Sequence, residues 1–210
     1  MKLYFFIVAP NPTRVRLYLA EKEAAGHAIP HEQVLVNLLE GEQKSPEHLA
    51  RNPLGKLPVL ELDDGSFLTE SASIIEFLEE IHPKPPMIGT HAPDRARVRE
   101  LDRIADFGVL LPIALIVHAT NSPLGMPPNP EVAAHSRAAL PFALGVLDAR
   151  LADGRSFLAG DSPCIADGTL AAALQFARFG KVDAISGYPN ITRWDRDYRK
   201  RGPVKSVLVA

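Results

Sequence analysis

The rhythm of apolar and polar positions changes partway along the chain. Residues 3–8, LYFFIV, form an almost continuous apolar run, the pattern of a short buried strand. A helical pattern follows over 13–24, then a short strand over 33–37 and a short helix over 46–51. Two further strands, 59–62 and 66–69, flank Asp63-Asp64-Gly65, and Asp-Gly between strands predicts a hairpin because both residues accept positive φ at low cost. A helix over 71–80 closes this part, with Ile74, Ile75, Phe77 and Leu78 gathered on a face. The predicted order is βαβαββα.

Residues 81–93, IHPKPPMIGTHAP, then hold four of the chain's 19 prolines and stop any helix that enters them. Beyond them the strand patterns end. Helical windows run over 94–120, 130–151, 165–179 and 191–201. The expected organisation is an α/β N-terminal domain of thioredoxin-like order at 1–81, a linker at 82–93, and an all-helical domain at 94–210. No internal repeat or low-complexity tract interrupts it.

Composition narrows the function classes. With 210 residues, 46% hydrophobic, the chain has material for a real core. A formal charge of -2 supplies no global attraction to nucleic acid or to an anionic membrane, so any bound anion must be gripped locally. The most apolar stretch, 107–119, contains Pro112 and falls short of the ~18 residues of a membrane helix, so a soluble protein is expected. Cys164 is the one cysteine, and the first residues lack the pattern of a secretory signal. A cytoplasmic location follows as the expectation.

The segment NPLGKLPVLELDDGSFLTESASIIEFL, 52–78, resembles the glutathione-binding segment of the cytosolic glutathione transferase family. PNPTRVRLYLAEK at 10–22 is similar to that family's first helix, SPEHLARNP at 45–53 to its second, and LAGDSPCIADGTLAAAL at 158–174 to the signature of its helical domain. The Arg193-Trp194 pair and Gly202-Pro203-Val204 extend the likeness towards the end, so most of the chain is covered.

The resemblance implies a cis Leu57-Pro58 bond that frees the backbone of Leu57 to pair with the cysteinyl backbone of glutathione, like a short antiparallel strand. By its own pattern, Pro58 is compatible with an ordinary trans proline at the head of a strand. Glu70 and Ser71 lie where a strand hands over to a helix, and a helix N-terminus is a natural anion site. The resemblance assigns Ser71 the γ-glutamyl carboxylate and Glu70 the γ-glutamyl ammonium. Lys44 and Lys56 are the candidate cations for the glycyl carboxylate. No metal is expected.

Glutathione reacts as its thiolate, and a free thiol with a pKa near 8.5 is mostly protonated at neutral pH. Members of the family commonly supply a Tyr, Ser or Cys near the end of the first strand to favour the ionised form. Here the equivalent positions are Phe5 and Ala9, neither of which donates a hydrogen bond. The remaining candidates are Asn11, Thr13, the N–H groups opening the first helix and a residue of the helical domain. VHATNSPLG at 117–125 resembles a fungal and bacterial subgroup without the usual hydroxyl or thiol, in which water and helical-domain residues are thought to activate the sulfur. That likeness points to His118, whose ordinary pKa near 6.5 suits it to hold a water or take the thiol proton.

An apolar electrophile pocket is expected between the two halves, walled by Val8, Pro10, Phe107, Leu110, Leu111 and Ala114. Cys164 is read as inert and buried, and Trp194 as core. Cysteine is a poor helix cap, so either Ser162 caps the helix at 165 or that cap is weakened by about 1 kcal/mol. The function implied is conjugation of glutathione to an apolar electrophile, a detoxification chemistry, by a homodimer. The alternatives are a glutathione-dependent peroxidase, isomerase or dehalogenase on the same fold, or a regulatory protein that binds glutathione without turnover.

Overall fold

The computed structural model describes residues 1–209. Strand β1 (Lys2–Phe5) leads into helix α1 (Pro10–Ala24), and β2 (Glu32–Leu35) precedes a 3-10 turn (Glu42–Lys44) and α2 (Pro46–Arg51). Strands β3 (Val59–Glu61) and β4 (Phe67–Thr69) form the hairpin, and α3 (Ser71–Ile81) follows. Sheet order is β2-β1-β3-β4, with β1 parallel to β2 and antiparallel to β3. The first strand is shorter than its apolar run. Residues 6–8 leave the sheet in a turn, and α1 starts at Pro10 rather than at 13, because prolines at positions 10 and 12 cost nothing in a first helical turn whose N–H groups have no partner anyway.

The C-terminal domain is helical. Helix α4 (Ala92–Ala105) runs through a π-helical segment (Asp106–Leu110) into α5 (Leu111–Asn121). Pro112 lacks the N–H that would bond the carbonyl four residues earlier, and the wider π turn just before it takes up that mismatch. Helices α6 (Pro130–Arg150), α7 (Ile165–Phe179), α8 (Pro189–Tyr198) and the short α9 (Gly202–Lys205) complete the domain. A Cβ added at Gly108 would overlap that of Ala143, so glycine in the π segment lets α6 approach closely.

The combined α4–α5 helix is longer and more apolar than expected: an 18-residue window within Ala92–Asn121 has a mean hydropathy of 1.6. Packing accounts for much of that character. Val98, Leu101, Ala105, Val109, Leu110, Ile113, Ile116 and Val117 are all buried in the main core, with Leu170 and Leu174 of α7 in the same cluster.

Two buried polar clusters fasten the halves together. Arg14 of α1, 1% exposed, donates to both carboxylate oxygens of Asp102 at 2.7 and 2.9 Å and to Asp106 at 2.8 Å. Thr169 of α7 donates to the same Asp102 at 2.6 Å. In the second cluster, the Lys22 ammonium meets Glu79 at 2.7 Å and donates to the carbonyls of His82 and Pro85. Glu79 also accepts from the Tyr18 hydroxyl and from the backbone N–H groups of Met87 and Ile88. The proline-rich connection is thereby pinned at four points between α1 and α3. Buried charges of this kind are tolerated because each is paired and hydrogen-bonded.

The start of α7 is capped by Cys164 with Asp167, not by Ser162. Asp167 accepts the Cys164 N–H at 2.9 Å and its thiol at 3.1 Å, while Ser162 stays exposed and plays no capping part. The same carboxylate accepts the Leu158 N–H and the Trp194 indole N–H. Burial raises this carboxyl to about 6 against those four donors, and pushes the Cys164 thiol well up. Trp194, 1% exposed, is core as expected.

Candidate functional site

The site grows from two helix N-termini. At α1, Ala9 occupies the cap position and offers no side-chain acceptor. Pro10 and Pro12 have no N–H, and the Thr13 N–H bonds the Ala9 carbonyl at 3.1 Å. Asn11 is therefore the one residue of the first turn with an N–H left to offer at the positive end of the helix. The Thr13 hydroxyl, fully buried, is spent on the Ala9 carbonyl at 2.9 Å, which removes it from the candidates for thiol activation. Phe5 is 8% exposed and lies under the Arg16 guanidinium at 4.7 Å, a packing role.

At α3, Ser71 is the first helical residue and is 5% exposed. Its hydroxyl donates to Asn11 Oδ1 at 3.3 Å, tying the two N-termini together. Glu70 before it is exposed and holds φ 66°, ψ 117°. A non-glycine residue at positive φ costs about 1–3 kcal/mol and tends to mark functional positions.

The loop preceding β3 supplies the third element. The Leu57-Pro58 bond is cis, and among the described residues neither the N–H nor the C=O of Leu57 is paired. The adjoining Lys56 carbonyl is held by Asn52 Nδ2 at 2.9 Å and His48 Nε2 at 3.1 Å, both from buried side chains. His48 and Asn52 carry no motif that marks them for this role in the sequence. Lys44 and Lys56 are exposed and form no ion pair among the described residues.

Beside α1 lies an apolar cavity of about 140 Å³, lined by Phe6, Val8, Ala9, Pro10, Leu38, Leu39, His118, Pro123, Leu124, Phe176 and Phe179. His118 is the one titratable group among these. Its Nδ1 stands 3.0 Å from Ser122 Oγ, and its ring packs against Phe176 at 5.8 Å. Burial lowers its pKa from the usual 6.5, which keeps the imidazole neutral at physiological pH.

Of the residues expected around an electrophile pocket, Val8 and Pro10 line this cavity, and Phe107, Leu111 and Ala114 lie outside it. Phe107 and Leu111 are exposed at 61% and 45%, on a helix face that turns outward, and Leu110 is buried in the core instead. The remaining wall of this cavity includes Leu38, Leu39, Phe176 and Phe179. A larger groove of about 810 Å³ lies elsewhere, at the end of α1 and the start of α7, and holds none of Asn11, Leu57, Ser71 or His118.

The family models for the glutathione S-transferase N-terminal and C-terminal domains match residues 9–81 and 130–194. Glutathione S-transferase 2 of Saccharomyces cerevisiae is 31% identical over 99% of this chain and 89% of its own length. The crystal structure of Gtt2 from Saccharomyces cerevisiae superposes with a TM-score of 0.88 at 31% identity, covering 99% of this chain and all of that one. A maleylacetoacetate isomerase of Pseudomonas aeruginosa is 40% identical over 47% of this chain and 45% of its own. With both halves matched and a relative similar along nearly its whole length, the chain belongs to the glutathione S-transferase family.

Proposed function

We propose that the chain binds glutathione across Leu57, Glu70 and Ser71 and directs its thiolate into the cavity beside His118. The observation that carries this reading is the Ser71–Asn11 hydrogen bond, which joins two helix N-termini next to a cavity walled by residues 8–10. Glutathione brings two carboxylates, an ammonium and a thiol. Its extended backbone pairs with the free N–H and C=O of Leu57. The γ-glutamyl carboxylate sits on Ser71 at the positive end of α3. Glu70 receives the ammonium, and Lys44 or Lys56 the glycyl carboxylate.

The sulfur then faces the start of α1. The Asn11 N–H is the donor left to stabilise it, and a helix end alone is worth only about 0.3–1 kcal/mol, less than one pKa unit. His118 supplies the rest: a neutral imidazole paired with Ser122 is a site for a water that receives the thiol proton. No disulfide exchange is routed through Cys164, which is buried with its thiol held protonated.

The same reading places the protein in the cytoplasm, in detoxification of apolar electrophiles, as a homodimer. Phe107 and Phe142, 61% and 79% exposed, flank the Gly108–Ala143 crossing, and exposed Leu111 and Val146 lie one turn further along. An apolar face of that kind suits a second copy of the chain. Light scattering at micromolar concentration reads the dimer, and Phe142→Glu shifts it to monomer.

Calorimetric titration with glutathione, together with chloride release from benzyl chloride, tests the central assignment. Binding with glutathione-dependent release supports it. Binding without release supports the non-catalytic alternative, and no binding removes the assignment of Leu57 and Ser71.

A further inference from the structure

The peptide unit that offers the Leu57 N–H is held from its other side. The bond between Lys56 and Leu57 is trans, so the Lys56 carbonyl and the Leu57 N–H point in opposite directions from one rigid plane. Whatever grips the carbonyl therefore aims the N–H. Two side chains grip it: Asn52 Nδ2 donates at 2.9 Å, and His48 Nε2 lies at 3.1 Å. Residues 48 and 52 stand four apart at the end of α2, a spacing that puts both side chains on one face.

Both side chains are fixed in turn. His48 is 1% exposed and Asn52 3%. The Ser45 hydroxyl accepts the His48 N–H at 3.2 Å, the His48 carbonyl accepts the Asn52 N–H at 2.8 Å, and Asn52 Oδ1 accepts the Leu54 N–H at 3.0 Å. Because a carbonyl oxygen only accepts, the His48 proton facing Lys56 sits on Nε2. Its Nδ1 is buried and has no partner among the described residues, so the ring's one hydrogen bond is spent on this carbonyl.

We infer that His48 and Asn52 are positioning residues for glutathione: they orient the peptide between residues 56 and 57 so that the Leu57 N–H meets the cysteinyl carbonyl of the tripeptide. This rests on the glutathione assignment above. Two donors on the carbonyl also polarise the peptide plane, which strengthens its N–H as a donor. Neither residue lines the cavity beside His118, so their contribution falls on affinity and not on ionisation of the thiol.

The test is calorimetric affinity for glutathione in wild type, His48→Leu, His48→Gln and Asn52→Asp, beside hydrogen exchange at the Leu57 amide and the pKa of the bound thiol. Loss of one neutral hydrogen bond predicts a Kd about three- to tenfold weaker in His48→Leu, with the bound-thiol pKa unchanged. His48→Gln returns an N–H donor near the place of Nε2 and recovers most of that affinity. Asn52→Asp keeps the acceptor for Leu54 but sets a carboxylate against the Lys56 carbonyl, and loses more than His48→Leu. At saturating glutathione the Leu57 N–H is protected from exchange in wild type and less protected in His48→Leu. In the wild-type protein, whatever the folding of the variants, nitrogen NMR shifts show His48 protonated on Nε2.

Unchanged affinity in His48→Leu, a loss that His48→Gln does not recover, or a His48 ring protonated on Nδ1 overturns the inference and leaves the proposed function standing. A wild type that does not bind glutathione removes both.

Discussion

Ser71 and Asn11, sixty residues apart in the chain, meet through a 3.3 Å hydrogen bond that fixes the starts of α3 and α1 against each other. The two helix ends thereby face one shared space. Substituting the serine removes this bridge and, on the proposed reading, a donor to the γ-glutamyl carboxylate.

Ser71→Ala is expected to weaken glutathione by about 1.5–3 kcal/mol, roughly ten- to hundredfold in Kd, the scale of a hydrogen bond to a charged group. Asn11→Ala leaves its own backbone N–H in place and is expected to weaken binding less. Calorimetry on both variants checks the order, and a larger loss from the asparagine would contradict it.

Glu79 concentrates four donors in a buried space, among them the Lys22 ammonium. Glu79→Ala leaves that ammonium buried and unmatched, at a cost of about 3–5 kcal/mol. Chemical denaturation should read a loss of that order. A loss below about 1 kcal/mol would show that water reaches the cluster.

His118 gives a pH signature of its own. Its folded pKa lies below the unfolded 6.5 because burial disfavours the charged ring. Between the two values the unfolded chain binds more protons, so this group's contribution to stability is complete above about pH 6.5 and is lost as pH falls through the folded value. Imidazole resonances followed by NMR should titrate below 6.5 for this histidine, and His118→Gln should flatten the matching part of the stability profile.

Cys164 should be silent. Its thiol is 4% exposed, donates to Asp167 and has a pKa well above that of a free cysteine. Native protein is expected to react with an aromatic disulfide reagent only at the rate of unfolding. Fast modification would mean that the start of α7 opens locally.

How much of this was legible in the sequence depended on how local the signal is. Leu57-Pro58 and Glu70-Ser71 sit in short runs whose residue types announce a strand start and a helix start. Asn11 is legible as a polar residue at the expected start of the first helix, while its being the one free N–H of that turn depends on where the helix begins. The Arg14–Asp102 pair spans 88 residues and carries no periodic or compositional mark, so it emerged only from the fold.

The lining of the cavity beside His118 is hard to read from the sequence for a related reason. The helix around residues 107–118 is apolar on every side, with Val109, Ile113 and Val117 turned to the core and Phe107, Leu111 and Leu115 turned outward. An amphipathic helix declares its inner face, and this one does not. Leu38, Leu39, Phe176 and Phe179 converge from two distant segments, and only packing brings them together.

The most direct measurement is the pKa of the glutathione thiol bound to the protein, followed by stopped-flow ultraviolet absorbance of the thiolate in wild type, His118→Ala and Ser71→Ala. The account predicts a bound value clearly below the free thiol's ~8.5, raised towards it in His118→Ala while glutathione still binds, with Ser71→Ala losing affinity instead. A bound pKa equal to the free value, or one unchanged by removing the imidazole, would contradict the role given to His118.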